Sequence, residues 1–585
     1  MTKAEEVRSV PKGAWSRVIH LITSSRIPWL LIALTVVLSL VSTWVGMLYP
    51  DYQTRILDGD LSTSTIQTAV LLLAASIVIS LISRYAMFYT QNLISKRVLD
   101  RVWAKILTLP ITIFHKTSPR ELISRTTSDT QALGDIFVVG ILGLITDFYA
   151  LYLALGYVFS YHTTLGWLQL ALIPLFILLK VIQGRIMFKQ SYRLQDKLAG
   201  LTQYMSQILI NIPLVKVFVK EDHEIERGQA AIRRYNKSRF QIEGLRMFFI
   251  GIDNIFMAIN TILAVVVGVF LIRKGELTIS TWVAFYMYSQ SVNVSLLMIT
   301  DLWPLIKDTQ GGVTRIADFM QAESEDYAGT AINEPVGDIV FENVDFSYSS
   351  QPVLRGVNLT IPHNSLTALV GQSGAGKTTI LGMLERFFIP DQGRITLDGV
   401  DIQSIALQDW RRNFAYITQE KNLFAGTIRE NLIYGIEREV SEEEILLALR
   451  AASILERVQE MPEGLDTMIG EGGSTISGGE SQRIALARIM LKQPPILLLH
   501  EATANLDAES ECRVLDSLDL LYEGRTSIAV AHRLSTVIHA DHIIVLGDGE
   551  VLGQGTHEEL MAGCPEYARL VETELQSNEE ANPCK

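Results

Sequence analysis

Gly371-Gln372-Ser373-Gly374-Ala375-Gly376-Lys377-Thr378-Thr379 is the stretch on which the reading of this chain turns. It follows the apolar run Leu366–Val370 and precedes a helix-like segment, Ile380–Arg386. Strand, glycine-rich turn and helix in that order make a phosphate-binding loop. Glycines let backbone N–H groups close around phosphate oxygens, and the following helix points its positive end at the same anion. Lys377 is expected to reach the β- and γ-phosphates, and the Thr378 hydroxyl to ligate Mg2+. Gly371, Ser373, Gly374, Ala375, Gly376 and Thr379 complete the expected cradle. The second half of the chain therefore reads as a nucleoside triphosphate-binding domain.

The chain has 585 residues, too many for one core, so two or more domains are expected. Its net charge of −13 argues against nucleic acid as a partner, because no basic stripe is present to neutralise phosphates. The three cysteines, Cys512, Cys564 and Cys584, have the spacing of neither a zinc site nor a disulfide framework and read as reduced thiols. The N-terminus resembles neither a cleaved signal peptide nor a transit peptide. No peptidase domain is expected there, because the apolar runs begin within about 30 residues of Met1.

Mean hydropathy is positive, and the apolar residues gather in the first half. Six stretches there reach the length of about 20 residues that a bilayer demands. They are Trp29–Tyr49, Ile66–Tyr89, Ile136–Ser160, Leu165–Gln183, Met247–Ile272 and Ile279–Ile306. The connections alternate between short and long, and the long ones, about Thr90–Asp135 and Gly184–Arg246, are rich in lysine and arginine. That bias places them and both termini in the cytoplasm, with Arg273 and Lys274 as a weak contradiction. Both long connections read as continued helix, with breaks at Ser118-Pro119 and Ile212-Pro213 that suit short cross-helices. Arg84, Asp147, Lys180, Asp253 and Asp301 fall inside spans, with Asn254, Asn260, Gln290 and Asn293 as polar company. Such residues face a cavity or a partner helix. Asp147, Asp253, Asn254 and Asp301 are candidates for a path that favours cationic or amphipathic cargo. The competing reading is interhelical pairing, for example of Arg84 with an aspartate.

The acidic stretch Gln321–Pro335 separates the halves, and beyond it Ile339–Phe346 and Gly356–Ile361 alternate like strands. With these parts in place the chain resembles an ATP-binding cassette (ABC) half-transporter of the exporter type. That resemblance implies a membrane α-helical domain of six spans over residues 1–320 and a linker over 321–335. It implies an α/β P-loop NTPase cassette with a helical subdomain over 336–575, and a polar tail over 576–585. Several positions match motifs of the family in its order. Tyr348 matches the aromatic that stacks on adenine. Gln419 matches the glutamine that touches Mg2+ and links the cassette to the membrane helices. The segment Ser477-Gly478-Gly479-Glu480 resembles the signature that caps the γ-phosphate of ATP held by an opposite cassette, with Glu480 where glutamine is usual. Asp507 matches the loop that crosses the dimer interface, and His532 the switch histidine at the γ-phosphate.

One motif departs from the pattern. In Pro495-Ile-Leu-Leu-Leu-His500-Glu501 an aspartate is expected where His500 stands. A carboxylate suits Mg2+ and an imidazole does not. Glu501 keeps the position of the family's general base, which orients and polarises the attacking water. His500 is compatible with slowed hydrolysis, with one weak site of a heterodimer, or with a substitution that traps an ATP-bound state; slow but real hydrolysis is the reading preferred here. The resemblance implies ATP and Mg2+ as cofactors and a second half-transporter as partner, in a homodimer or a heterodimer. It further implies a multi-pass place in a cell membrane, expected to be bacterial, and export of drug, lipid or peptide by alternating access. Import of a siderophore-like cargo and a hydrolysis-impaired regulatory subunit are the alternatives.

Overall fold

A backbone in hydrocarbon has to satisfy its own N–H and C=O groups, and each of the apolar stretches does so as helix. The computed structural model describes residues 28–116, 122, 123, 125–332, 334–348, 351–417, 423–470, 475–500, 518, 521–530 and 537–578. The described residues fall into two compact units, one within Met1–Leu109 and Thr117–Ser324, the other within Pro110–Lys116 and Glu325–Lys585.

In chain order the first helices are α1 (Trp29–Leu57), α2 (Thr63–Leu107) and α3 (Ile111–Lys116), the last of which groups with the second unit. Next come α4 (Thr130–Asp135), between the π-helical turns Arg125–Asp129 and Ile136–Leu142, and α5 (Gly143–Tyr161). They are followed by α6 (Thr163–Ile210), α7 (Ile212–Val217), α8 (Glu221–Arg273) and α9 (Ile279–Gln321). Helices α2, α6 and α8 continue well past their apolar stretches. The break expected at Ile212-Pro213 opens the short helix α7, whereas Ser118-Pro119 lies outside the described residues.

Among the described residues, five helical stretches are long and apolar enough by themselves to cross a membrane: Trp29–Leu57, Thr63–Leu107, Thr126–Tyr161, Thr163–Ile210 and Glu221–Arg273. The sixth expected span, Ile279–Ile306, is helical within α9 and is the more polar one, with Ser280, Ser289, Asn293 and Ser295 buried on it. Within the first unit α1 packs on α2, α5 on α9, and α6 on α8. Polar side chains tie these helices together in the manner of membrane bundles. Thr35 meets Thr90 and Ser39 meets Ser83, each at 2.9 Å, across α1 and α2. Ser289 donates to Gln169 (2.9 Å), and Asn260 to Asn293 (2.8 Å). Outward faces stay apolar and exposed, as Val70, Leu71 and Leu81 on α2 show, a surface suited to lipid.

The second unit is built on two larger sheets, with a small antiparallel pair formed by β7 (Gly426–Thr427) and β8 (Met468–Ile469). Strands β1 (Ile339–Tyr348), β2 (Gln351–Ile361), β4 (Gln392–Leu397) and β5 (Val400–Asp401) form an antiparallel sheet in the order β2-β1-β4-β5. The larger sheet runs β12-β11-β3-β10-β9-β6, where β3 is Leu366–Gly371, β6 Phe414–Ile417, β9 Ile496–His500 and β10 Thr526–Val530. Its edge is formed by β11 (His542–Gly547) and the antiparallel β12 (Glu550–Gly555). The inner strands are parallel and buried on both faces, so they read as unbroken apolar runs. Alternate residues feed two cores: Leu497 and Leu499 point into one, Ile496 and Leu498 into the other. Helix α10 (Lys377–Leu384) buries Ile380, Leu381, Met383 and Leu384 in the second of these cores.

Within residues 321–335, expected to be a linker, Glu325 and Thr330 are bonded to this unit. Arg411 grips Glu325 with two hydrogen bonds (2.8 and 2.7 Å), donates to the carbonyls of Glu385 and Arg386, and lies over the Phe387 ring. Thr330 pairs with Ile405 by backbone.

Candidate nucleotide-binding site

Parallel α/β sheets open a crevice at the carboxyl ends of their strands, where the order of connection reverses. Strand β3 lies between β10 and β11, and the loop that leaves it sits in that crevice. Two glycines give the loop its shape. A Cβ on Gly371 (φ +149°) would stand 2.2 Å from the Leu546 carbonyl oxygen, and one on Gly376 (φ +100°) 2.5 Å from the Leu354 side chain. Gly376 is the N-cap of α10 and has no side chain to occupy that helix end, which leaves the first-turn N–H groups for an anion. Lys377 is buried, and its ammonium donates to the carbonyls of Gly371 (2.6 Å) and Gln372 (3.0 Å), so the charge is held over the loop. The donors and the cation fit a polyphosphate.

Tyr348 ends β1 about half exposed, edge-on to Phe346 and Phe388, with its hydroxyl 3.4 Å from the Thr379 hydroxyl. An exposed ring face tied to the phosphate loop is suited to stacking on a base. Ser477 is the N-cap of α15 (Gly478–Lys492), after α11 (Leu407–Arg412), α12 (Ile428–Ile433), α13 (Glu442–Ala451) and α14 (Leu455–Glu460). Here Glu480 has a place of its own: its carboxylate accepts from the Ser477 N–H (2.7 Å), and the Ser477 hydroxyl accepts from the Glu480 N–H (3.2 Å). This is a capping box, and the Ser-x-x-Glu spacing announces it. Arg457 closes on the same carboxylate at 2.6 Å. Burial alone would raise the Glu480 carboxyl, but Arg457 and the Ser477 donors outweigh it and hold it below the usual range.

His500 ends β9, and its Nε2 lies 2.8 Å from the Thr378 hydroxyl at the start of α10. The strand order β3-β10-β9 brings together two residues that are 122 positions apart. That contact was not foreseen from the sequence. Thr378 offers Mg2+ an oxygen, but His500 puts a nitrogen where a hard cation wants a carboxylate. Among the described residues no group of three or more His, Cys, Asp or Glu side chains is placed to hold a metal. Among the described residues the donor set suits ATP, and for Mg2+ it supplies the Thr378 hydroxyl, with His500 beside it a poor ligand for that ion. Gln419, Glu501, Asp507 and His532 lie outside the described residues.

In the first unit Asp253 is bonded between helices, to a partner other than Arg84. Lys180 donates to its Oδ2 (2.8 Å) and Gln183 to its Oδ1 (3.0 Å), joining α6 to α8. Arg84 is exposed and makes no ion pair with any described side chain. Lys180 and Gln183 stand three residues apart on one helix face, the spacing that could have identified them as a joint partner. Asp147 is half-buried, with no hydrogen-bond partner among the described residues, and Asn254 is exposed. Asp301 lies in α9, with its side chain outside the description.

Comparison with known proteins agrees with both units. Residues 29–296 match the family described as ABC transporter transmembrane region, and residues 354–504 the family described as ABC transporter. The chain is 29% identical over 584 residues, 98% of each chain, to a multidrug resistance ABC transporter ATP-binding and permease protein of Lactococcus lactis. It is 32% identical over 495 residues to an ATP-dependent lipid A-core flippase of Desulfotalea psychrophila, covering 83% of this chain and 86% of that one. It is 36% identical over 473 residues to a mitochondrial potassium channel ATP-binding subunit of Xenopus tropicalis, covering 79% and 68% respectively.

Proposed function

The chain belongs to the ABC transporters, with a transmembrane region fused to an ATP-hydrolysing cassette, and from that premise we propose that it exports amphipathic compounds as a dimer of half-transporters. ATP-driven transport across a membrane is its activity; the cargo class, the direction and the partner are our inference. One observation carries the reading: the phosphate loop between β3 and α10 is joined in one chain to long apolar helices. Support for a drug or lipid cargo comes from the relatives, one a multidrug resistance transporter and another a lipid A-core flippase.

In this scheme ATP binds along the loop, with Lys377 on its terminal phosphates and Tyr348 on the base. Ser477, Gly478 and Gly479 of one chain cap the nucleotide of the other, and Asp507 lines the join. Glu501 takes the proton of the attacking water, His532 steadies the γ-phosphate, and Gln419 with Thr378 faces the accompanying Mg2+. Closure of the two cassettes is passed through Ile212-Pro213 and the segment about Ser118-Pro119 into rotation of the helices. The long basic connections and both termini lie in the cytoplasm of a cell membrane, and the domain limits stay at about 320 and 336. With His500 beside Thr378, turnover is slow but real.

The experiment is an ATPase assay of the whole chain in lipid nanodiscs against hydrophobic cations, lipids and peptides. Stimulation by one class is expected, and indifference to all three would discard the exporter reading. Vesicles with ATP outside then report direction: uptake of cargo into vesicles whose cassettes face outward is export, and release is import.

A further inference from the structure

We infer that this nucleotide site takes its divalent cation through a nitrogen as well as an oxygen, and so selects an ion such as Co2+ over Mg2+. The inference rests on the nucleotide-binding reading of the loop and adds the identity of the ion.

Geometry points that way first. Thr378 Oγ1 and His500 Nε2 stand 2.8 Å apart. Two neighbouring ligands of an octahedral ion, each about 2.1 Å from it, are held about 3 Å apart. The two side chains share a hydrogen bond, and an ion replacing the shared proton would hold them at nearly the same separation. Both residues are anchored: His500 closes a strand whose Leu497, Leu498 and Leu499 are buried, and Thr378 is flanked by buried Lys377 and Thr379. The Thr378 side chain is itself exposed, so an ion arriving with a nucleotide can reach it.

Chemistry points the same way. Mg2+ takes oxygen ligands and gives up water reluctantly, whereas imidazole is a good ligand for later first-row ions, with affinity rising from Mn2+ through Co2+ to Ni2+. A hydroxyl and one imidazole make only two corners, and phosphate oxygens and water would have to supply the rest. The site should therefore bind the ion with the nucleotide and show little affinity for the free ion.

The test uses the full chain in nanodiscs and a fluorescent ATP analogue titrated with Mg2+, Mn2+ or Co2+. The expected result is roughly tenfold tighter binding with Co2+ than with Mg2+, a ratio that falls towards one in His500→Asp. Pulsed electron paramagnetic resonance of the Mn2+-nucleotide complex should show coupling to a ring nitrogen, absent from His500→Asp. Should that variant not fold, the coupling in the unaltered chain decides alone. Equal affinity for all three ions with no nitrogen coupling overturns the inference and leaves nucleotide binding intact. No nucleotide binding with any ion overturns that reading, and the inference with it.

Discussion

His500 ends β9 beside the Thr378 hydroxyl, so its replacement has a signed consequence. With His500→Asp a carboxylate would face the Thr378 hydroxyl, 2.8 Å from the present imidazole nitrogen. Groups that orient the surroundings of an ion are worth about 10–100-fold in activity. ATPase activity with Mg2+ should rise by roughly tenfold in that variant; an unchanged rate would remove His500 from the account of slow turnover. Glu385 offers a second test at this scale. Burial raises its carboxyl to about 7, against the opposing pull of Arg411. A carboxyl raised in the folded state holds its proton there while the unfolded chain has lost it, so its contribution is full below about pH 4.5 and fades as pH climbs to about 7. Glu385→Gln should therefore stabilise the cassette at pH 8, by at most about 3 kcal/mol, and change little at pH 5. Thermal unfolding at the two pH values checks this, and equal shifts at both would refute it.

Between elements, the bond from α6 to α8 holds Asp253. Lys180 and Asp253 are mostly buried, at 14% and 17% side-chain exposure, so removing one strands the other's charge. Asp253→Ala should lower thermal stability in detergent by up to about 3 kcal/mol. The double variant Lys180→Met, Asp253→Leu should recover most of that loss, since two apolar side chains leave no orphan. A stable Asp253→Ala protein that has lost only its response to cationic cargo would return the aspartate to the transport path. The phosphate loop could be read beforehand because Gly371, Gly376 and Lys377 carry their geometry locally, and the helices because apolar length forces them. The Lys180–Asp253 bond could not, since which faces meet depends on how two helices are rotated about their axes. The polarity of α9 has the same origin: Ser289 and Asn293 look unfavourable for a span until Gln169 and Asn260 receive them. The meeting of His500 with Thr378 needed the order of parallel strands, which no local pattern contains.

At the scale of the whole molecule, the outward faces of α2 and the capped N-terminus of α15 are surfaces one chain leaves open. Lipid suits the first. The second carries Gly478 and Gly479 at a helix start whose Ser477 cap is already engaged with Glu480, so backbone N–H groups are what it has to present. In the proposed scheme they close on a nucleotide seated in another copy, and turnover then needs two chains. Nanodiscs loaded with one copy should bind ATP through the phosphate loop yet hydrolyse it at a small fraction of the per-chain rate of two-copy discs. Doping two-copy discs with Lys377→Ala chains should reduce the rate more steeply than the share of unaltered chain, because each nucleotide is gripped from both sides. Silence in two-copy discs that is relieved by a different half-transporter would assign a heterodimer. Full turnover in one-copy discs would show that a single cassette completes its own site, and the dimeric mechanism would fall.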